Sequence, residues 1–178
     1  LFTDWKTKKR NSTCAISFKT NIMKKNLIFI GLALVVGVLG GWLIFGGSGN
    51  DEQDIVEEWN GTAWTETTDL AVTRGNMSGA GTQTAGLGVG GYLTGDSPTL
   101  TSLEYDGSSW TAGGDYPDST TRTCASGTQT ATLAQGGGPT GPYTNVTAEY
   151  NGVSWSLGGN YPTLHANGTM CGTQTAGF

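Results

Sequence analysis

The sequence predicts an all-β protein assembled from repeated units of about 45 residues. The motif Gly-Thr-Gln-Thr recurs after 46 and then 45 residues, beginning at Gly81, Gly127 and Gly172. A hairpin of the form aromatic-X-Gly recurs with it and ends at Trp64, Trp110 and Trp155. The composition agrees, because 30 Gly, six Trp and only 13% charged residues are typical of short strands, tight turns and aromatic burial. Units repeated at this period must stack on one another to bury their apolar faces.

The charged residues divide the chain into a basic head and an acidic body. Seven of the nine Lys and Arg lie at or before Lys25, whereas 13 of the 14 acidic residues follow it. An acidic body is a poor partner for the phosphate backbone, so we expect no nucleic acid as a ligand.

An apolar segment joins the two parts. Leu27 to Phe45 is 19 residues without a charge, enough to cross most of a roughly 30 Å hydrocarbon layer. We predict a transmembrane or signal-anchor helix over residues 26–45, which contacts the membrane and places the repeats outside the cytoplasm. The alternative is a signal peptide cleaved near Gly40 or Ser48, which would make the protein secreted.

The N-terminal head, residues 1–25, is predicted to be a basic cytoplasmic tail. Met23 is followed by Lys24, Lys25 and the apolar segment. A membrane-targeted protein normally begins in this way, with Met, a few basic residues and an apolar run. Residues 1–22 are therefore interpreted as possible upstream sequence that is not translated.

After a flexible acidic linker over residues 46–55, the repeat domain is predicted to cover residues 56–178. The first hairpin spans residues 56–66, and the middle copy contains four antiparallel strands at 78–82, 85–91, 101–105 and 108–112. Its turn, Asp106-Gly107, predicts a type I′ hairpin, in which both central residues have positive φ. Asn60-Gly61 and Asn151-Gly152 take the same place in the other copies.

These spacings resemble the kelch repeat of galactose-oxidase-like β-propellers. The pattern is a Gly-Gly pair, an aromatic residue 12 to 14 residues later and a Trp five residues further on. The matching residues are Gly90, Gly91, Tyr105 and Trp110 in one copy and Gly137, Gly138, Tyr150 and Trp155 in the next. Trp59 and Trp64 form the first hairpin, and Arg74, Arg122 and His165 stand where such repeats usually place an Arg.

The resemblance implies kelch-like blades in which the glycines let neighbouring sheets approach and the Tyr and Trp side chains pack between them. The chain holds about 2.5 to 3 four-stranded blades, whereas propellers typically have four to eight. We therefore expect a partial propeller, a fragment of a longer protein or one that closes by self-association.

The sequence predicts no cofactor, no metal site and no catalytic residue. The copper site of a galactose-oxidase-like enzyme needs a pair of histidines, and His165 is the single histidine. Arg74 and Arg122 could bind an anionic or sugar ligand, or could bond backbone carbonyls between blades. We expect a non-catalytic binding or adhesion module for a protein or carbohydrate ligand, with specificity in the loops 92–100 and 139–146.

Two other functions stay open. The chain could belong to a secreted or envelope enzyme, carbohydrate-active or an oxidase, whose catalytic residues lie outside it, or it could be a structural envelope component. Cys124 and Cys171 fall at similar positions before two copies of Gly-Thr-Gln-Thr. They are predicted to form a disulfide between blades or to remain buried thiols.

Overall fold

A computed structural model describes residues 35–36, 42–45, 53–118, 120–138 and 142–177. The regular secondary structure of these residues is entirely β-strand, which confirms the all-β prediction. The strands are β1 Val35–Val36, β2 Trp42–Phe45, β3 Val56–Trp59, β4 Trp64–Glu66, β5 Ser78–Thr82, β6 Ala85–Val89, β7 Tyr92–Leu93, β8 Ser97–Pro98, β9 Thr101–Tyr105, β10 Trp110–Asp115, β11 Cys124–Thr128, β12 Ala131–Gln135, β13 Thr147–Tyr150, β14 Trp155–Leu157, β15 Gly172–Thr173 and β16 Ala176–Gly177.

Twelve of these strands form three four-stranded antiparallel sheets, each called a leaf here. The first leaf is β1–β4, the second is β5, β6, β9 and β10, and the third is β11–β14. The hairpin β15–β16 follows the third leaf. The first strands of successive units pack side by side, because β1 contacts β5, β5 contacts β11 and β11 contacts β15. Within the described ranges the leaves do not close into a propeller ring.

The predicted anchor segment contributes strands where it is described. Val35–Val36 and Trp42–Phe45 form β1 and β2, and β2 pairs with β3 in the register Trp42 opposite Trp59. The helix predicted for these six residues is therefore wrong, and the rest of 26–45 lies outside the described residues, as does the tail 1–25. Gly46-Gly47 follows β2 in the sequence as Gly90-Gly91 follows β6, so the end of the apolar segment matches the second strand of the repeat. No helix in the described ranges is long and apolar enough to cross a bilayer.

The end of the predicted linker is held by backbone hydrogen bonds. Gln53 and Arg74 exchange two, of 3.1 and 2.9 Å, and the Asp54 carbonyl accepts one from Leu70. These bonds join residues 53–54 to the segment that precedes the second leaf. The part of 46–55 before Gln53 lies outside the described residues.

Several strand boundaries match the predicted ones, whereas β6 ends at Val89 instead of residue 91 and β10 spans Trp110–Asp115 instead of 108–112. β5 and β9 begin and end at the predicted residues, and β3 and β4 match the hairpin 56–66. The loop 92–100 differs, because it contains the short hairpin β7–β8, in which Tyr92 lies opposite Pro98.

The hairpin turns differ from the type I′ prediction. Trp110 lies opposite Tyr105, so the connection has four residues, and of the pair Asp106-Gly107 only Gly107 has a positive φ, of 92°. The Asp106 carboxylate instead accepts the backbone N–H groups of Ser108 and Ser109, each at 2.8 Å. Asn60 and Asn151 cap the equivalent turns through their amide oxygens. The side chain of the first turn residue therefore stabilises the turn by hydrogen bonds to its backbone, and a second positive φ is not needed.

This capping makes the second turn sensitive to acid. The Ser108 hydroxyl and the backbone N–H groups of Ser109 and Ser108 lower the pKa of Asp106 to about 2. Because the folded pKa lies below the unfolded value of about 3.9, the carboxylate stabilises the turn above pH 4, and this contribution is lost as the pH falls toward 2.

Asp106→Asn separates this effect from other titrations, since an amide caps the same turn at Asn60 and Asn151. We expect the melting temperature of the wild type to fall further between pH 5 and pH 2 than that of Asp106→Asn, measured by circular dichroism. Equal losses in the two proteins would contradict the capping role.

The core of the described residues consists of two apolar clusters between leaves. Leu87, Val89 and Tyr116 of the second leaf and its loop pack against Tyr150 and Trp155 of the third. The cluster between the first and second leaves comprises Val56, Leu70, Met77, Leu103, Tyr105 and Trp110. Each leaf buries its apolar face against its neighbour, as the repeat predicts.

The glutamine of Gly-Thr-Gln-Thr ties each leaf to the one before it. The Gln129 side chain donates to the carbonyls of Gly86 and Tyr105 on the second leaf, at 3.0 and 2.8 Å. Gln174 makes the equivalent pair of bonds to Thr132 and Tyr150 on the third leaf. The motif is therefore a connector between sheets as well as a turn.

A glutamate recurs one residue before the hairpin aromatic and serves the same purpose. The Tyr105 hydroxyl donates to Glu58 of the first leaf at 2.9 Å, and the Tyr150 hydroxyl donates to Glu104 of the second. Burial raises the pKa of both tyrosines, and their hydroxyls are donors at neutral pH even without this shift. Glu149 of the third leaf occupies the same position.

Candidate binding surface at the loop end

The connections around each first strand meet at one end of the leaves, called the loop end here. They are the segments before β5, β11 and β15 and the connections β6–β9 and β12–β13. The glycines after the second strands hold these segments together. Gly91 N–H donates to the Thr120 carbonyl at 3.1 Å, Gly137 N–H to His165 at 2.9 Å and Gly138 N–H to Thr121 at 3.0 Å.

These glycines lie where backbone approaches backbone. A Cβ on Gly90 would lie 2.5 Å from the Thr120 carbonyl oxygen, and one on Gly137 would lie 2.7 Å from that of Thr121. A larger side chain on Gly90 would push the loop of the next leaf away, and one on Gly137 would push away the segment before β11 of its own leaf.

A backbone connection joins the segments that precede β5, β11 and β15. Arg122 N–H donates to the Asn76 carbonyl at 3.2 Å, and Asn167 N–H donates to the Arg122 carbonyl at 3.0 Å. All three residues have φ between 51° and 60°. Arg122 is thus the equivalent of Asn76 and Asn167, and the sequence alignment of Arg122 with Arg74 is wrong. Thr120 and His165 are equivalent instead, because both accept from the glycine pair of the preceding leaf.

Arg74 is buried and bonded to backbone. Its side chain is 5% exposed, and Nη1 donates to the Gly90 carbonyl at 3.0 Å and the Thr101 carbonyl at 2.8 Å. Burial lowers the pKa of the guanidinium. Arg74 therefore bonds backbone carbonyls, but both belong to the leaf that it precedes, so these bonds lie within one leaf and not between blades as expected.

Arg122 is the more accessible of the two arginines. Its side chain is half-buried, and its guanidinium carbon lies 5.7 Å from the centre of the Tyr92 ring. Such a distance is that of a cation–π contact, which fixes the cation at the loop end.

The loop over residues 142–146 lies against the segment 161–165. Tyr161 N–H donates to the Asn145 carbonyl at 2.8 Å, and the Asn145 amide donates back to the Tyr161 carbonyl at 3.0 Å. The His165 ring packs against Tyr161 at a tilt of 56°, with ring centres 4.7 Å apart. Tyr143, in the loop 142–146, is 40% exposed. Residues 139–141 of this predicted specificity loop lie outside the described residues.

Cys124 is a free buried thiol, so the possible disulfide with Cys171 is not formed. Its sulfur lies 3.9 Å from His165 Nε2, and burial raises the pKa of the thiol. A protonated thiol is a poor nucleophile, and this pair lacks the features of an activated cysteine.

Sequence reasoning missed the bonding roles of the recurring Gln and Glu. Both recur at a fixed spacing, Gln83, Gln129 and Gln174 with Glu58, Glu104 and Glu149, and that recurrence was the available signal. The described residues hold no group of three or more His, Cys, Asp or Glu able to bind a metal. No protein-family model matches the chain, and no curated protein matches it.

Proposed function

We propose that the chain is a non-catalytic interaction module built of kelch-like propeller blades, which binds a carbohydrate or protein ligand at its loop end. The observation that carries this proposal is that the residues which join the leaves differ from those which form the loop surface. Recurring side chains such as Gln129, Glu104, Tyr150 and Trp155 join the second and third leaves, whereas the exposed Tyr143 and the half-buried Arg122 lie on loops that differ between copies.

The chemistry of the loop end suits this role. Tyr143 offers an aromatic face and a hydroxyl, and Arg122 adds a cation held on Tyr92. Tyrosine and arginine are enriched at binding interfaces because each combines apolar area with hydrogen-bonding groups.

The test is binding of the purified chain to an array of immobilised oligosaccharides. We expect Tyr143→Ala to lose signal about tenfold or more on any glycan bound, since aromatic anchors typically contribute over 1 kcal/mol to binding. Val153→Ala is the matched control, because Val153 is 77% exposed in the hairpin turn before β14. Equal losses for the two variants would contradict a site at the loop end.

We propose further that residues 26–45 hold the module at the outer face of a membrane. The support is the uncharged run Leu27 to Phe45 behind Lys24 and Lys25. Since β1 and β2 come from the same run, insertion would remove two strands from the first leaf. Alkaline carbonate extraction distinguishes a run inserted in the membrane from a run that forms strands of the first leaf. We expect the full chain in the membrane pellet. Its release into the supernatant would favour the use of the run as leaf strands.

A further inference from the structure

The turn between β3 and β4 presents an asparagine side chain whose amide nitrogen is available. The Oδ1 atom of Asn60 accepts the backbone N–H groups of Thr62 and Ala63, at 2.9 and 3.0 Å. Its Nδ2 atom makes no hydrogen bond to any residue that the structure describes, and residues 60–63 are all exposed. The amide oxygen thus holds the turn, while the amide nitrogen is left for a reaction.

A threonine two residues later completes a motif for covalent modification. Asn60-Gly61-Thr62 is an Asn-X-Ser/Thr sequence, the kind at which oligosaccharides are attached to asparagine. The equivalent turns read Asp106-Gly107-Ser108, which lacks the amide, and Asn151-Gly152-Val153, which lacks the hydroxyl. Asp106 and Asn151 are exposed too, so the exposure of Asn60 is a property of this turn in the repeat.

The same motif occurs at four other positions, Asn11, Asn76, Asn145 and Asn167, of which Asn11 lies outside the described residues. The fold closes two of them. Met77, in the motif of Asn76, is 6% exposed and belongs to the core between the first and second leaves. The Asn145 amide nitrogen donates to the Tyr161 carbonyl at 3.0 Å, and Thr147 of that motif is 9% exposed. Neither copy can enter the cleft of an enzyme without local unfolding.

Asn167 is exposed, but its segment lies against the third leaf. Its backbone N–H donates to the Arg122 carbonyl at 3.0 Å. A Cβ on Gly168 would lie 2.8 Å from the Cys124 Sγ atom, so this stretch packs closely on β11. Asn60, in contrast, stands at the tip of a hairpin, where an enzyme can bind the acceptor segment without moving a leaf.

We propose that Asn60 is the acceptor of an N-linked oligosaccharide. Its Nδ2 atom forms a bond to the anomeric carbon of an oligosaccharide that is linked to a lipid pyrophosphate. The bond from that carbon to the pyrophosphate oxygen breaks, the lipid pyrophosphate leaves with the electron pair, and one Nδ2 proton passes to water. Oδ1 remains an amide oxygen and keeps both of its hydrogen bonds, so the turn survives the reaction.

The glycan lies beside the outermost strand of the first leaf. β4 is the last strand in the order of its sheet, and its residues are exposed. A bulky hydrophilic group at this edge hinders pairing with a strand of another chain. The assignment rests on the proposed placement of the repeats outside the cytoplasm, since oligosaccharides are transferred from such lipids on that side of the membrane.

The test supplies the purified, folded full chain to a single-subunit oligosaccharyltransferase that requires only Asn-X-Ser/Thr, together with a lipid-pyrophosphate-linked oligosaccharide. Trypsin then separates the motifs, because Arg74 and Arg122 are the only basic residues after Lys25. We expect the added mass of one oligosaccharide on peptide 26–74. Thr62→Val should abolish this modification and leave the turn folded, since valine occupies the equivalent position in the turn of the third leaf.

Two variants that create the motif in the equivalent turns make the test specific. Val153→Thr completes it at Asn151, and Asp106→Asn completes it in the turn of the second leaf. Each variant should gain one oligosaccharide, on peptide 123–178 or 75–122 respectively, because both turns begin with an exposed capping residue.

The folded wild type should also discriminate among its own motifs. We expect the occupancy of Asn76 and Asn145 to be about tenfold or more below that of Asn60, because each of the two reacts only after local opening. Both should react in the isolated tryptic peptides 75–122 and 123–178, which shows that the fold, and not the motif, protects them.

Three outcomes would overturn the proposal. In the first, peptide 26–74 of the folded chain stays unmodified. In the second, the Thr62→Val chain is modified as fully as the wild type, and in the third, Asn76 and Asn145 react in the folded chain as readily as Asn60. Because the chain is supplied directly to the enzyme, its placement at a membrane does not affect these results, so the two proposals can fail separately.

Discussion

Replacing Gly127 by alanine is expected to destabilise the protein by more than about 3 kcal/mol, among the largest effects of a single change. Gly127 lies in β11 with φ of 125°, a conformation that L side chains rarely adopt. An added Cβ would overlap the carbonyl oxygen of Ala131, which is backbone and cannot turn aside. Equilibrium unfolding in urea, followed by tryptophan fluorescence, measures the loss.

Gly172→Ala is the matched control for this prediction. Gly172 has φ of 121°, and its Cβ would overlap the Ala176 carbonyl in the same way. It lies in β15–β16, whose strand residues are exposed, so the hairpin can open without unfolding the leaves. We expect a loss below about 1 kcal/mol there, since local opening costs less than global unfolding. A Gly127→Ala protein as stable as the wild type would refute the hairpin geometry.

Trp155→Ala is expected to cost about 3 kcal/mol, the usual range for truncating a large packed aromatic. The Trp155 ring lies 5.0 Å from Tyr116 and 4.9 Å from Tyr150, and its indole N–H donates to the Ser102 hydroxyl at 2.9 Å. The change removes contacts between the second and third leaves and leaves a buried hydroxyl without its donor. The free energy of unfolding in urea, followed by far-ultraviolet circular dichroism, measures it.

Trp64 provides the comparison within the same chain. It holds the equivalent hairpin position in the first leaf and packs against Trp59 with ring centres 5.4 Å apart, but it is 44% exposed. Trp64→Ala should therefore cost less than about 1 kcal/mol, since little area is removed from a core. Equal costs at the two positions would mean that the tryptophans act within leaves and not between them.

Much of the fold followed from the sequence because the repeat is local. Strands β5 and β9 and the hairpin β3–β4 were predicted at their observed boundaries, since turn residues and alternation lie next to one another in the chain. The four-residue turns were mistaken for type I′ turns because Asp106 can either adopt positive φ or cap the turn with its carboxylate. Only the backbone geometry distinguishes these two uses of the same dipeptide.

The loop end was predicted less well. Arg122 was aligned with Arg74 by residue type, whereas its backbone makes it the equivalent of Asn76 and Asn167. The Cys124–Cys171 disulfide was suggested by similar strand positions, but Cys124 is a free thiol. Loop positions are set by hydrogen bonds to the next leaf, and residue identity carries little of that information.

The sequence alone determined that this protein is all-β, repeats every 45 or 46 residues and contains the hairpins that end in tryptophan. These properties depend on residues that are close in sequence within one unit, and the same pattern recurs in each unit. The tertiary structure decided which groups join the units: Gln129 on the Gly86 and Tyr105 carbonyls, and Tyr150 on Glu104. Partners 24 to 46 residues apart meet only when separate sheets pack, so no local pattern specifies them.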